Sequence, residues 1–162
     1  GLATLLMDLL SAEEEAVDVR TREYRFDIPM LARRLQDATS WLREQPSTHA
    51  LGVGYFGAST GGGAALLAAA NAPKEVGAVV SRGGRPDLAG PALARVVAPT
   101  LLIVGGDDTP VIEMNRDAME QMSAEVKLEI VPGASHLFEE PGTLERVALL
   151  ARDWFVRHLG AT

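Results

Sequence analysis

An α/β fold is the architecture this sequence predicts, with about five mostly parallel strands flanked by helices on both faces. Three observations carry the expectation. Short apolar runs alternate with longer segments of helical period. The runs are nearly continuous in apolar character, as strands buried on both faces of a parallel sheet are. Their order, β-α-β-α-β-loop-β-α-β-α, is one that right-handed crossovers turn into a layered sheet.

Taken in order, the first expected strand is Leu2–Met7. It has no basic flank and runs into the acidic Ser11-Ala12-Glu13-Glu14-Glu15, so it reads as a core strand and not as a secretory leader. Asp27 can cap a helix that tolerates Pro29 in its first turn and repeats apolar residues at Ile28, Leu31, Leu35, Ala38 and Leu42. That helix must stop before Pro46. The second strand is Ala50–Phe56, and a Gly/Ala-rich helix follows over 60–72. Val76–Ser81 is the third strand, and 83–99, rich in Gly, Pro and Arg, is the one long irregular connection. Thr100–Val104 and Val126–Val131 complete the strands. Helices are expected over 111–123, with Val111, Ala118 and Met122 inward, and over 141–159, with Leu144, Val147, Ala148, Ala151, Phe155 and Leu159 on one stripe.

The chain of 162 residues suits a single domain spanning 1–162. A domain of this size buries about 70% of its unfolded surface, enough for a core without staples. It has no cysteine, hence no disulfide, thiolate metal site or cysteine nucleophile. Its three histidines, His49, His136 and His158, form no HExxH pattern, and a built-in zinc site is not expected. With 15 basic and 22 acidic residues the net charge is -7, which argues against nucleic-acid and anionic-membrane partners. No apolar run approaches the ~18 residues of a membrane span. The expected location is cytoplasmic.

The chemistry centres on Gly57-Ala58-Ser59-Thr60-Gly61, a G-x-S-x-G between an expected strand and an expected helix. On a turn that sharp, the residues two before and two after the serine crowd each other, which would make both glycine. A strained serine there lifts its Oγ above the sheet edge, and the Thr60 N–H faces a developing oxyanion. The alternative is a tight turn that merely needs small residues. A nucleophile needs a base and an orienting acid. Gly105-Gly106-Asp107-Asp108 follows one strand and Pro132-Gly133-Ala134-Ser135-His136 follows another, so both reach the edge where α/β sheets bind ligands. The order serine, aspartate, histidine is that of α/β-hydrolases.

With GASTG at the elbow, LLIVGGDDTPV around the acid and VPGASHLF around the histidine, the chain resembles the α/β-hydrolase superfamily. It is most similar to the dienelactone-hydrolase-like group of small serine hydrolases, and the resemblance runs essentially end to end. It implies Ser59 as nucleophile, His136 as base and, from the pattern G-x-D-x-x-V, Asp108 as the acid, with Asp107 its exposed neighbour. It implies no cofactor. The group's name-giving enzyme uses a cysteine where Ser59 stands, so lactone specificity does not carry over. The group also has earlier strands and a His-Gly loop that donates a second oxyanion hydrogen bond. Here Gly1–Asp8 resembles the strand after that loop, which makes the expected fold an N-terminally shortened one. Loss of one such donor costs about 10²–10³ in rate. Either the first strand slides in beside 50–56, or a second chain completes the sheet. A homodimer is the expected remedy for the exposed strand edge.

Among secondary residues, Arg82 could anchor a substrate carboxylate in a bidentate pair, or could pair with Asp87 or a helix end. Tyr24-Arg25-Phe26 could pack the base of the cleft or staple the first helix. Glu139 and Glu140 could hold the histidine loop or cap the last helix, and His49 and His158 read as surface residues. Three functions follow: a serine hydrolase of small carboxylic esters, a catalytically weak hydrolase-fold module for binding or assembly, or the same triad used for acyl transfer or thioester hydrolysis.

Overall fold

A computed structural model describes residues 1–160. Four strands form one parallel sheet in the order β1-β2-β3-β4: β1 (Val53–Ala58), β2 (Val76–Arg82), β3 (Thr100–Gly105) and β4 (Val126–Val131). Each strand pairs with the next in sequence. Single-step crossovers of one hand place all their connecting segments on one face. That face carries helices α2 (Ile28–Glu44) and α3 (Thr60–Asn71), the 3₁₀ segment Pro86–Arg95 and α4 (Thr109–Glu120). Helix α5 (Thr143–Leu159) returns across the opposite face and touches all four strands. The three-layer architecture is the expected one.

Two cores hold the layers together. Leu66, Ala69, Leu93 and Val96 cover Tyr55 and Val79 on one face. Val147, Ala151 and Trp154 cover Ala78, Val80, Leu101 and Ile103 on the other. Every residue of β3 is buried, as a continuous apolar run requires. At the sheet edge, β4 is only half-buried, with Lys127 and Ile130 exposed. Small residues on α3 let it lie close to the sheet: Ala64, Ala65, Ala68 and Ala69 have no exposed surface.

Four expectations need correction. Leu2–Met7 is not a strand; Leu2, Leu5, Leu6 and Met7 are exposed, and the sheet has four strands, not five. Leu9 and Leu10 pack instead against Ile28, Leu31 and Ala64, which draws the chain to the helical face and away from the β1 edge. On α5 the buried stripe is Val147, Ala151 and Trp154, while Leu144 and Ala148 point to solvent. His158 is not a surface residue: its ring centroid lies 4.3 Å from that of Trp154, tilted at 51°, and its Nε2 is buried. The 83–99 connection is less irregular than its composition suggests, being a 3₁₀ segment kinked at Gly90, where φ is +52°.

One helix escaped the sequence reading. Helix α1 (Ala12–Thr21) begins with a capping box in which the Ser11 N–H donates to Glu14 Oε2 (2.8 Å) and the Glu14 N–H to Ser11 Oγ (3.3 Å). Arg34 of α2 grips Glu14 with two bonds of 2.6 Å and holds the Glu14 carboxyl down at about 2. Asp27 caps α2 by accepting the Met30 N–H, as expected.

Candidate active site

Every strand runs the same way, so all four C-terminal ends open on one edge of the sheet. Ser59 follows β1, Gly83–Arg85 follows β2, Asp108 follows β3 and the His136 loop follows β4. Residues far apart in sequence are thereby delivered to one rim.

Ser59 sits at φ +50°, ψ -123°, a conformation a non-glycine residue adopts at a cost of about 1–3 kcal/mol. Three backbone bonds impose it. Its N–H donates to Arg82 O (3.3 Å), and its carbonyl accepts from Gly62 N (3.0 Å) and Arg85 N (3.0 Å). Ser59 heads α3 without spending its hydroxyl on a cap. The Thr60 N–H, in the first turn, has no acceptor among the described residues and stands at the positive end of α3.

The crowding that dictates glycine is one-sided. A Cβ at Gly57 would lie 2.2 Å from Gly61 O and 2.4 Å from Gly61 C. A Cβ at Gly61 would meet nothing nearer than Leu9 Cδ1 at 3.9 Å. Only the first glycine of the motif is sterically required.

Asp108 and His136 meet. Asp108 Oδ2 lies 2.6 Å from His136 Nδ1, with the carboxylate largely buried and the imidazole partly exposed. Neighbouring Asp107 is exposed, and its N–H ties it to Ala134 O (3.0 Å). Of the two aspartates, Asp108 is the one on the histidine. The histidine loop is pinned from several sides. The Ser135 N–H donates to a Glu140 carboxylate oxygen (3.0 Å), and the hydrogen bonds from Ser135 hold the Glu140 carboxyl below its ordinary range. Buried Phe138 adopts φ +58°, and its carbonyl accepts from Thr143 Oγ1 (2.9 Å). Ser59 Oγ and His136 are not hydrogen-bonded in this structure; Gly83, with φ at +49°, packs against the His136 ring.

Arg82 belongs to the same loop system. It donates to Leu137 O (3.2 Å) and lies 5.4 Å over the Phe138 ring, while burial lowers its pKa from the ordinary arginine value. It does not pair with Asp87, whose partner is Arg85 (2.7 and 2.9 Å).

A cleft of about 420 Å³ opens beside Ser59 and Thr60, walled by Leu10, Glu15, Asp18, Arg22, Arg25 and Phe26. Its floor is built on Asp18, which is wholly buried. Burial alone would push the Asp18 carboxyl up. The Arg25 guanidinium and the N–H groups of Arg25 (3.0 Å) and Tyr24 (2.8 Å) outweigh burial and hold it below its ordinary value. Arg25 and Phe26 thus fill the cleft-packing place expected of Tyr24-Arg25-Phe26, while Glu15, Asp18 and Arg22 were missed. Their signal was the S-x-x-E spacing of Ser11 and Glu14, which starts α1 and brings the helix to the site.

The comparisons with known proteins bear on this arrangement. The dienelactone hydrolase family matches residues 11–154, nearly the whole chain, with Ser59, Asp108 and His136 inside the match. The chain belongs to that family. A crystal structure of a dienelactone hydrolase from Anabaena variabilis is 64% identical, with a TM-score of 0.90 over 94% of this chain and 71% of that one. A dienelactone hydrolase-like promiscuous phosphotriesterase from metagenomic libraries shares the fold at 20% identity, with a TM-score of 0.74 over 94% of this chain and 73% of that one. Among curated proteins, relatives from two Mycobacterium tuberculosis strains are 62% identical over 98% of this chain, and they carry the provisional name of a phosphoribosyl transferase. The chain spans 35% of their length.

Proposed function

We propose that this member of the dienelactone hydrolase family is a serine hydrolase that cleaves small carboxylic esters through an acyl-enzyme. The observation that carries the reading is the 2.6 Å contact of Asp108 with His136 on the rim where Ser59 is held at φ +50°. In the reaction, Ser59 Oγ attacks the carbonyl carbon while His136 Nε2 takes its proton. His136 then returns the proton to the leaving oxygen, and a water repeats the sequence to release the acid. Asp108 keeps the proton of the neutral imidazole on Nδ1, leaving Nε2 free to accept, and stabilises the imidazolium that forms. The Thr60 N–H receives the oxyanion at the start of α3. The missing Ser59–His136 hydrogen bond is compatible with this role, because such contacts are commonly loose before substrate arrives.

The cleft favours a modest substrate. Leu10 and Phe26 supply apolar wall, and the charged lining is balanced, Arg22 and Arg25 against Glu15 and Asp18, with Arg25 paired to Asp18. Arg82 acts here as a brace for the histidine loop. The decisive assay is p-nitrophenyl acetate hydrolysis with labelling by a fluorophosphonate. Wild-type protein reacts at Ser59, and Ser59→Ala abolishes both signals. Unlabelled wild-type protein would leave the binding or assembly reading in its place.

A second reading concerns the longer relatives. Since the shared stretch is about a third of them, we assign any phosphoribosyl transfer to the remainder of such proteins. This chain alone should then release no diphosphate from phosphoribosyl diphosphate. We also propose pairing of two copies along the outer edge of β1, where Phe56 is 48% exposed; light scattering at twice the chain mass would support it and monomer mass would end it.

A further inference from the structure

The proposed nucleophile, base and acid arise from three loops, yet one tripeptide touches the surroundings of all three. The Arg85 N–H donates to the Ser59 carbonyl (3.0 Å). Gly83 packs against His136, where a Cβ would come within 3.2 Å of its carbonyl and 3.5 Å of Nδ1. The Gly84 carbonyl accepts a hydrogen bond from Asn115 Nδ2 (3.1 Å), on the helix that Asp108 begins.

Asn115 has no exposed surface. Its amide also donates to Val111 O (2.8 Å), one turn back on α4, so both N–H groups are used and the side chain is fixed. Its Oδ1 is buried and finds no partner among the described residues. An unpartnered buried oxygen is costly. A leucine of similar size would remove that cost but would leave the Gly84 carbonyl without its donor, so what the asparagine secures here is the place of Gly84. From the other side, Ser81 Oγ and Gly62 close on Gly84 so tightly that a Gly84 Cβ would fall 1.8 Å from the hydroxyl. The tripeptide is gripped between Ser81 and Asn115.

We infer that Asn115 is a positioning residue of the hydrolase site, acting through Gly83-Gly84-Arg85 to hold the strained Ser59 backbone and the His136 ring in register. The inference rests on the serine-hydrolase reading. Releasing the Gly84 carbonyl frees Arg85 to drift from Ser59 and lets the elbow relax from φ +50°. Displacements of about 1 Å at a reacting atom cost about 10²-fold in rate.

The test is Asn115→Leu, with kcat taken per mole of folded protein. The expected result is a fall in kcat of about 10²-fold with KM changed by no more than about threefold, and fluorophosphonate labelling slowed in parallel. A purely structural asparagine would move the melting temperature and leave these rates alone, which would overturn the inference. Gly84→Ala displaces the same tripeptide from the opposite side and should give the same kinetic signature; adding Ser81→Ala removes the clashing hydroxyl and should restore most of the loss. If Asn115→Leu does not fold, this pair decides, and failure of Ser81→Ala to rescue counts against the inference. Wild-type protein that ignores the fluorophosphonate sinks the hydrolase reading itself. Reactive wild type with an equally reactive Asn115→Leu sinks only the positioning role.

Discussion

Replacing either glycine of G-x-S-x-G by alanine looks equivalent in sequence, but the structure predicts opposite outcomes. At Gly57 the new methyl would stand 2.2 Å from the Gly61 carbonyl oxygen, a backbone atom at the start of α3. Ordinary contact begins at 3.4 Å, so strand β1 and the head of α3 must separate by about 1.2 Å. That displacement falls within two residues of Ser59 and should lower kcat and fluorophosphonate labelling by about 10²-fold. Overpacking a tight contact costs about 1–3 kcal/mol, or about 2–12 °C in Tm at this size. At Gly61 the nearest atom is 3.9 Å away, and the residue is helical with negative φ. Alanine there removes the helix penalty of glycine and should raise stability by about 0.5–1 kcal/mol, with labelling changed by no more than a few-fold. Calorimetry and labelling kinetics on both variants decide it. Equal damage from the two, or a fully reactive Gly57→Ala, would refute the one-sided account of the elbow.

Asp108→Asn should lower kcat by about 10⁴-fold because the amide no longer holds the histidine in the productive tautomer, whereas Asp107→Asn should cost a few-fold at most; a reversed order would move the acid to Asp107. Ser81→Ala removes a buried hydroxyl with no partner and should leave Tm unchanged or raise it by a few degrees, as calorimetry would register. The Glu14 carboxyl lies lower in the folded chain, at about 2, than its ordinary 4.5. Its contribution is therefore complete above about pH 4.5 and is lost as pH falls towards 2. Protection of the α1 amides against hydrogen exchange, taken relative to the intrinsic rate at each pH, should fall as pH drops through that window in wild type but stay flat in Glu14→Gln, which should be loosened at every pH.

The layered fold was legible because its signals are local. The apolar runs Val76–Ser81 and Thr100–Val104 became the strands Val76–Arg82 and Thr100–Gly105, and Asp27 with Pro29 starts α2, each determined by neighbouring residues. The order of Ser59, Asp108 and His136, each following a strand, likewise placed them on one rim. What sequence could not decide is which distant surface each segment meets. Leu2–Met7 has the composition of a strand, but Leu9 and Leu10 find α2 and α3 first. Arg82 reads as a substrate anchor or a partner of Asp87 until Leu137 and Phe138 are folded against it. Asn115, Gly84 and Ser81 carry no motif at all, because their meaning lies in distances that exist only once α4, β2 and the elbow are packed. By itself the sequence determined periodicity, turn chemistry and the order of reactive groups. Tertiary structure alone decided their partners, since burial and hydrogen bonding between segments depend on long-range packing that no local pattern encodes.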